Sequence, residues 1–370
     1  MKICIDARPI SEHMHGISRY TLNLITQLSL IDQHHEYLLL ARPNAGRILP
    51  QLPKNFRLKE CRTPNYSMSE QAVIPWLLKK ESVDLFHSIT YSAPVYQPCK
   101  TVVTIHDLIP LIFPEHYRWI HTAYYKHVVR RALLRAQRIL TVSYSSKEDL
   151  VRHFGLNPDR IVVTYNGVDT RFCPDPSGLS KKIIEETFAL KDPFILCVVN
   201  NKQHKNVPVL IKAFHKFLGK AAAPYKLVIV GIEESIELRN SISRSVADRL
   251  IFLPRVTDDQ LIALYQNAAL FVLPTLYEGF CLPVLEAMAC GTPVITSNVS
   301  SLPEVAGDAA ILINPNNIDE LGEAIYNVLG HEKLQKEMRE KGIRQAKRFS
   351  WRETAQQTLK VYEEVMSFTG

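Results

Sequence analysis

Residues 277–295 read YEGFCLPVLEAMACGTPVI. The run ALFVLP just before them, ending at Pro274, is short and apolar and reads as a buried strand. Pro283 suits the first turn of a helix, where a missing N–H leaves no bond unmade. VLEAMAC continues that helix, Gly291 ends it, and TPVIT reads as the next strand. Strand, loop, helix, strand is the unit of a parallel sheet with helices on its faces. Glu278 then lies on the loop at a strand's carboxyl end, and Glu286 about one turn into the helix. Open parallel sheets bind ligands at that edge. A helix start adds unpaired N–H groups and partial positive charge, which favour an anion such as phosphate. Taken locally, a solvated loop acid and a helix-capping acid would give the same pattern.

The same alternation runs along the chain. In the first half KICIDA, EYLLLA, VDLFH, KTVVTI and RILTV read as strands, with helices over 17–30, 68–80 and 117–138. In the second half FILCVV, KLVIVG, LIFLP and LFVLP are strands, with helices from Val207, near 233–246 and near 258–267. The expected class is α/β, with two doubly wound, Rossmann-like domains facing each other across a cleft. The boundaries expected are 1–170 for the first domain and 193–350 for the second. The run NGVDTRFCPDPSGLSKK, rich in Pro, Gly and polar residues, marks a linker, expected over 171–192, and an amphipathic helix over 351–370 is expected to cross back to the first domain.

Composition narrows the classes. A chain of 370 residues, 46% hydrophobic, is ordinary for a two-domain globular protein. Seven scattered cysteines with no C-x-x-C argue for reduced thiols and a cytoplasmic setting, not a disulfide framework or zinc. Asp6 interrupts the first apolar run, so no signal peptide is expected. The first 165 residues carry 21 Lys and Arg against 13 Asp and Glu; the remainder carries 23 against 24. The two halves therefore suit different partners. G-x-G-x-x-G, the Walker loop, H-E-x-x-H, G-x-S-x-G and Asp-x-Asp are all absent. Their absence weakens the case for a dehydrogenase, an ATPase, a serine or metal hydrolase, and metal-bound diphosphate chemistry. No nucleic-acid module is recognised.

What remains is polar residues at strand ends. Gly16 precedes the first helix, where a glycine lets backbone approach a ligand. His106 and Asp107 end an apolar strand and offer a titratable pair. Lys205, in NNKQHKN after FILCVV, is a cation for a phosphate. Each also has a plain structural reading, as turn glycine, capping pair and solvated lysine.

GIS at Gly16, IHDLIP at Ile105, NGVD at Asn166, HKN at His204, EGFCLPVLEAMACGTPV at Glu278 and FSW at Phe349 occur in this order and at characteristic spacing. Together they resemble family 4 of the retaining GT-B glycosyltransferases, over nearly the whole chain. The resemblance implies that Glu286 accepts from the ribose hydroxyls of a nucleotide and that Lys205 binds its diphosphate. Backbone N–H groups of Gly16, Phe280, Cys281 and Leu282 would help. Glu278 would hold hydroxyls of the transferred sugar, His106 would sit beside that sugar, and Arg255 and Val256 would hold the base. Two departures stand out. Asn200 occupies the place where many members carry an arginine, and Cys281 a place where glycine is common.

The implied reaction is hexose transfer from a nucleotide-sugar to a glycan or lipid-linked acceptor, with retention and without a metal or other cofactor. A UDP-hexose such as UDP-glucose is the first expectation for the donor and GDP-mannose the second. A nucleotide-sugar 2-epimerase is the alternative with similar domains, and the IHDLIP and EGFCLPVLEAMACGTPV blocks argue against it. The stretch 117–138 carries six Lys and Arg (Arg118, Lys126, Arg130, Arg131, Arg135, Arg138) and no acid, with Trp119, Tyr124 and Tyr125 interleaved. It is the expected surface for peripheral docking on an anionic membrane.

Overall fold

The computed structural model describes residues 1–11, 16–91, 93–220, 224–234 and 244–367. The chain forms two compact units, Met1–Gly167 with Ser350–Gly370, and Val168–Phe349.

Among the described residues the first unit holds seven strands: β1 Lys2–Asp6, β2 Glu36–Ala41, β3 Phe56–Glu60, β4 Leu85–Ser88, β5 Lys100–Ile105, β6 Arg138–Thr141 and β7 Ile161–Val163. They are parallel, in the order β3-β2-β1-β4-β5-β6-β7. The central strands are apolar on both faces because helices cover both. The edge strands β3 and β7 are absent from the sequence reading. FRLKE buries only Phe56 fully, and IVV is three residues long, so neither shows a buried run. The winding reverses between β1 and β4, so the loops after those strands flank the switch point.

The helix Trp351–Ser367 packs on the helix Gly16–Ile31 in this unit. A buried polar chain backs it. His87 bonds the Thr104 hydroxyl through Nε2 at 2.7 Å and the Tyr362 hydroxyl through Nδ1 at 2.5 Å. Burial pushes His87 down to about 3, so the imidazole is neutral there. Lys100 Nζ donates to the carbonyl of Val365 near the helix end, at 2.9 Å.

The basic stretch is not one regular helix over 117–138. It is helical over Trp119–Tyr124, passes through a π turn over Tyr125–Val129, and resumes over Arg130–Arg135. Arg138 begins β6, since the buried run RILT is needed in the sheet.

The second unit has six parallel strands among its described residues: β8 Phe194–Val198, β9 Lys226–Val230, β10 Leu250–Leu253, β11 Leu270–Leu273, β12 Val294–Ser297 and β13 Ala310–Ile313. Their order is β10-β9-β8-β11-β12-β13, with the switch between β8 and β11. The expected linker 171–192 is corrected here: Leu179–Phe188 is a helix packed on the helix Asp258–Asn267, with Ile184 buried. Its apolar face gives it a place in the second unit that a free connector would lack. Of the helix expected near 233–246, residues 235–243 lie outside the described residues; Arg244–Ala247 is helical.

NGVD and FSW acquire a physical reason. Gly167 lies against the backbone of Ser350 and Trp351, where the chain re-enters the first unit, and a Cβ there would overlap both. Thr354 Oγ1 donates to the Tyr165 carbonyl at 2.6 Å beside it. Gly167→Ala is expected to lower stability by about 1–3 kcal/mol through backbone overlap. Gly330→Ala, with nothing within 4 Å of its Cβ, is the neutral control. Equal urea midpoints for the two variants would show that this approach is not a constraint.

Candidate active site

Lys205, Glu278 and Glu286 all belong to the second unit. Lys205 follows β8 and Glu278 follows β11, so the two loops flank the place where the strand order reverses. There the Lys205 Nζ donates to Glu278 Oε1 at 2.7 Å, with side chains 11% and 9% exposed. The sequence brings the two residues no closer than 73 positions apart; the sheet makes them neighbours.

The loops are stitched before the side chains meet. The His204 carbonyl accepts from the Leu276 N–H at 2.7 Å and from the Thr275 hydroxyl at 3.0 Å. Asn206 takes a left-handed φ of 60° and its amide donates to the Pro274 carbonyl at 3.1 Å and the Pro315 carbonyl at 2.7 Å. Asparagine tolerates that backbone conformation, which accounts for the last residue of HKN. The Glu278 N–H donates to Ser300 Oγ at 2.9 Å, and Ser301 Oγ donates to the Glu278 carbonyl at 3.0 Å. Ser300 and Ser301, just beyond β12, have no signal in the sequence reading, because a serine pair in a loop marks no chemistry by itself.

Glu286 sits in the helix Leu282–Ala289 and is 6% exposed. Tyr265, fully buried, donates to its Oε2 at 3.0 Å. Burial first, and the Glu286 carboxylate after it, push the Tyr265 hydroxyl far up, so it stays a donor. Tyr265 was also missed by sequence reading; the QLIALYQN run shows only a helix. Cys281 precedes the helix with φ 83°, a conformation glycine adopts at no steric cost.

Of the other expected donor residues, Asn200, Arg255, Val256, Phe280 and Leu282 belong to the second unit with Cys281. Asn200 is exposed after β8, on the Lys205 loop. Arg255, exposed, and Val256, half-buried, follow β10, two strands from β8 and so about 10 Å along the edge. Phe280 is buried and Leu282 half-buried. Gly16 and His106 belong to the first unit. Gly16 is exposed and opens its helix. His106 follows β5; its Nε2 lies 2.9 Å from the Ile89 carbonyl. A carbonyl only accepts, so that nitrogen carries the hydrogen. The Tyr20 ring meets the His106 ring edge-on at 4.7 Å.

A lysine cation, a helix start and two buried carboxylates at a sheet switch point can hold a diphosphate beside polyhydroxyl groups. With Lys205→Met, Glu278 would stay buried without its counter-ion, at a cost of up to about 3–5 kcal/mol. Pairing that change with Glu278→Leu is expected to recover most of the loss. A double variant no more stable than the single one, by urea unfolding, would deny the coupling.

Comparison with known proteins bears on this geometry. Residues 14–172 match the family model for Glycosyltransferase Family 4, and residues 180–345 match that for Glycosyl transferases group 1. The chain is 28% identical to O-antigen chain mannosyltransferase B of Escherichia coli, over 98% of this chain and 100% of that one. It is 33% identical to serotype-specific mannosyltransferase WbdA of Escherichia coli, over 72% of this chain, and spans only about a third (34%) of that protein's length. Among solved structures, Anabaena Alr3699/HepE in complex with UDP and glucose aligns with a TM-score of 0.76 at 18% identity, covering 98% of this chain and 100% of that one. WaaG, a glycosyltransferase involved in lipopolysaccharide biosynthesis, aligns at 0.74 and 16%, covering 98% and 99%. These likenesses give the fold, two Rossmann-like parallel-sheet domains of GT-B type. With the two family models side by side along the chain, the protein belongs to the group 1, family 4 glycosyltransferases.

Proposed function

We propose that this enzyme is a retaining mannosyltransferase that moves mannose from a nucleotide-mannose, GDP-mannose first, to a hydroxyl of a lipid-linked glycan during polysaccharide synthesis. The observation that carries the reading is the buried Lys205–Glu278 pair at the second switch point, with Glu286 on the helix beside it. The names of the relatives, mannosyltransferases of O-antigen chains, support mannose over the UDP-hexose that the sequence alone favours.

In this reading the donor diphosphate takes Lys205 and the start of the Leu282–Ala289 helix, with backbone N–H groups of Phe280, Cys281 and Leu282. Glu278, released from its lysine, accepts from the sugar hydroxyls. Glu286 holds the ribose hydroxyls while Tyr265 fixes its second oxygen. Arg255 and Val256 hold the base, and Asn200 lies on the phosphate side. The bond from the anomeric carbon to the diphosphate oxygen breaks and the acceptor oxygen bonds that carbon on the same face. The acceptor's proton passes to the departing phosphate oxygen. Negative charge grows on the leaving group, so a fixed cation counts for more in the transition state than in the ground state. Lys205 supplies it, and the reaction needs no metal. His106 serves the sugar as a hydrogen-bonding residue, not as a base through Nε2.

Thermal shift with GDP-mannose, UDP-glucose and ADP-glucose in excess EDTA tests the donor. GDP-mannose is expected to raise the melting temperature most, since binding to the folded state stabilises it. No shift with any of the three would sink the reading, and a shift only after manganese or magnesium is restored would sink its metal-free part. Glu286→Ala is expected to weaken nucleotide binding by roughly 1.5–3 kcal/mol for each bond lost to the carboxylate. A dissociation constant equal to the parent's would remove the ribose role.

The acceptor reading includes an anionic membrane surface at 117–138. Trp119 is 79% and Ile120 52% exposed, and Arg118, Lys126, Arg130, Arg131 and Arg135 are exposed around them. Two of the expected aromatic anchors drop out: Tyr125 is buried in the core and Tyr124 bonds Glu70. Among the described residues no helix is long and apolar enough to cross a membrane. Each cation near an anionic surface contributes about 1 kcal/mol. Co-sedimentation with anionic vesicles at low salt is expected, and loss of it when Arg130, Arg131 and Arg135 become Ser. Binding unchanged in that variant would leave the segment as scaffold.

A further inference from the structure

The loop that carries Glu278 is held largely by hydroxyls from the next strand. Thr296 Oγ1 donates to the Leu273 carbonyl at 2.9 Å, and Ser297 Oγ to the Thr275 carbonyl at 2.6 Å. Ser301 Oγ then donates to the Glu278 carbonyl at 3.0 Å, and Ser300 Oγ accepts from the Glu278 N–H at 2.9 Å. All four hydroxyls come from the end of β12 and the turn beyond it. The two peptide groups on either side of the Glu278 α-carbon are thus gripped by consecutive serines.

Both serines depart from what their own turn favours. Ser300 has φ 51°, in the left-handed region where a residue with a Cβ is strained and glycine is not. Ser301 is the N-cap of the short helix Leu302–Ala306, yet its hydroxyl makes no capping bond and reaches the Glu278 carbonyl instead. Left to itself, this turn would be more stable with glycine first and a capping hydroxyl second. Strain of this kind persists where the surroundings hold it, and it gathers at functional sites. The two departures share one beneficiary, the backbone of Glu278.

A carboxylate that must leave Lys205 and meet sugar hydroxyls has little margin, because a hydrogen bond weakens steeply once its angle is wrong. Its own rotamer can swing only about a backbone that stays in place. We propose that Ser300 and Ser301 are positioning residues for the transfer: they fix the Glu278 backbone so that its carboxylate, on leaving Lys205, is aimed at the hydroxyls of the donor sugar. Neither serine has to touch the donor. The proposal rests on the reading of Glu278 given above and adds the residues through which the fold aims it. It separates two quantities at Ser300. Glycine there fits the backbone better and serves the sugar worse.

The test compares the full-length parent with Ser300→Gly, Ser300→Ala, Ser301→Ala, Glu278→Ala and the double variant Ser300→Gly with Glu278→Ala. Melting temperature, amide hydrogen exchange over 276–281 and affinities for GDP and GDP-mannose are measured. Both Ser300 variants lose the hydroxyl and only the alanine keeps the strain, so Ser300→Gly is expected to melt higher than Ser300→Ala. The Glu278 amide is expected to exchange faster in both. GDP-mannose binding should weaken at least about tenfold in Ser300→Gly and Ser301→Ala, the scale of losing one hydrogen bond to a carboxylate. GDP binding should stay as in the parent, which also reports that the variants fold. In the Glu278→Ala background Ser300→Gly should bring no further loss, since the serine acts through the glutamate. An unchanged Glu278 exchange rate in both Ser300 variants would overturn the proposal. So would GDP-mannose affinity retained in Ser300→Gly, lost equally with that for GDP, or lost again on top of Glu278→Ala; each of these leaves the donor reading standing. If Glu278→Ala itself binds GDP-mannose as the parent does, the sugar role of Glu278 falls, and the positioning role falls with it.

Discussion

A parallel sheet wound in both directions from its middle parts its loops at one place, where the strand order reverses. In the second unit that place lies between β8 and β11. The chemistry of the site depends on what those two loops carry into the gap. One brings a lysine and the other a glutamate, and at 2.7 Å in a nearly dry setting each makes the other's burial tolerable. In the proposed function the ion pair is the resting arrangement of two groups that the donor would divide between its diphosphate and its sugar. Around it the His204 carbonyl, the Asn206 amide and the Ser300 and Ser301 hydroxyls hold both loops, so the pair does not have to organise its own surroundings.

The two switch points differ in kind. The second offers a cation and a helix start and suits an anion. The first has its arginine, Arg8, already matched by Asp6 and Glu70, so it offers no unmatched arginine for an anion. A basic first half, taken as a bulk number, would suggest the reverse. Half of that excess is carried by exposed cations of the helical run 119–135, Lys126, Arg130, Arg131 and Arg135, while the buried arginine is matched. Net charge says where counter-ions gather, and says little about which groups a fold has already paired.

Much was legible in the residues because local rules enforce it. Apolar runs bounded by turns gave the central strands. Pro283 and Gly291 bounded a helix, and its position after a strand put Glu278 and Glu286 at the carboxyl edge of the sheet. The polar and short strands β3 and β7 were not legible, since an edge strand needs no buried run. The helix Leu179–Phe188 hid inside a Pro- and Gly-rich stretch, and its value comes from the partner helix Asp258–Asn267. The π turn at Tyr125–Val129 leaves no mark in a pattern of apolar spacing, and it ends up with Tyr125 inside and Trp119 outside.

The sequence by itself determined the alternation of strands and helices and the family, because periodicity, caps and motif spacing are properties of neighbours along the chain. Only the tertiary structure decided that Lys205 meets Glu278, that Tyr265 holds Glu286 and that Ser300 and Ser301 hold the loop. It also decided that Gly167 must be bare because Ser350 and Trp351 pass against it. Each of these joins residues far apart in the chain. Their meeting is fixed by sheet order and by which faces the helices bury, and no local pattern encodes either.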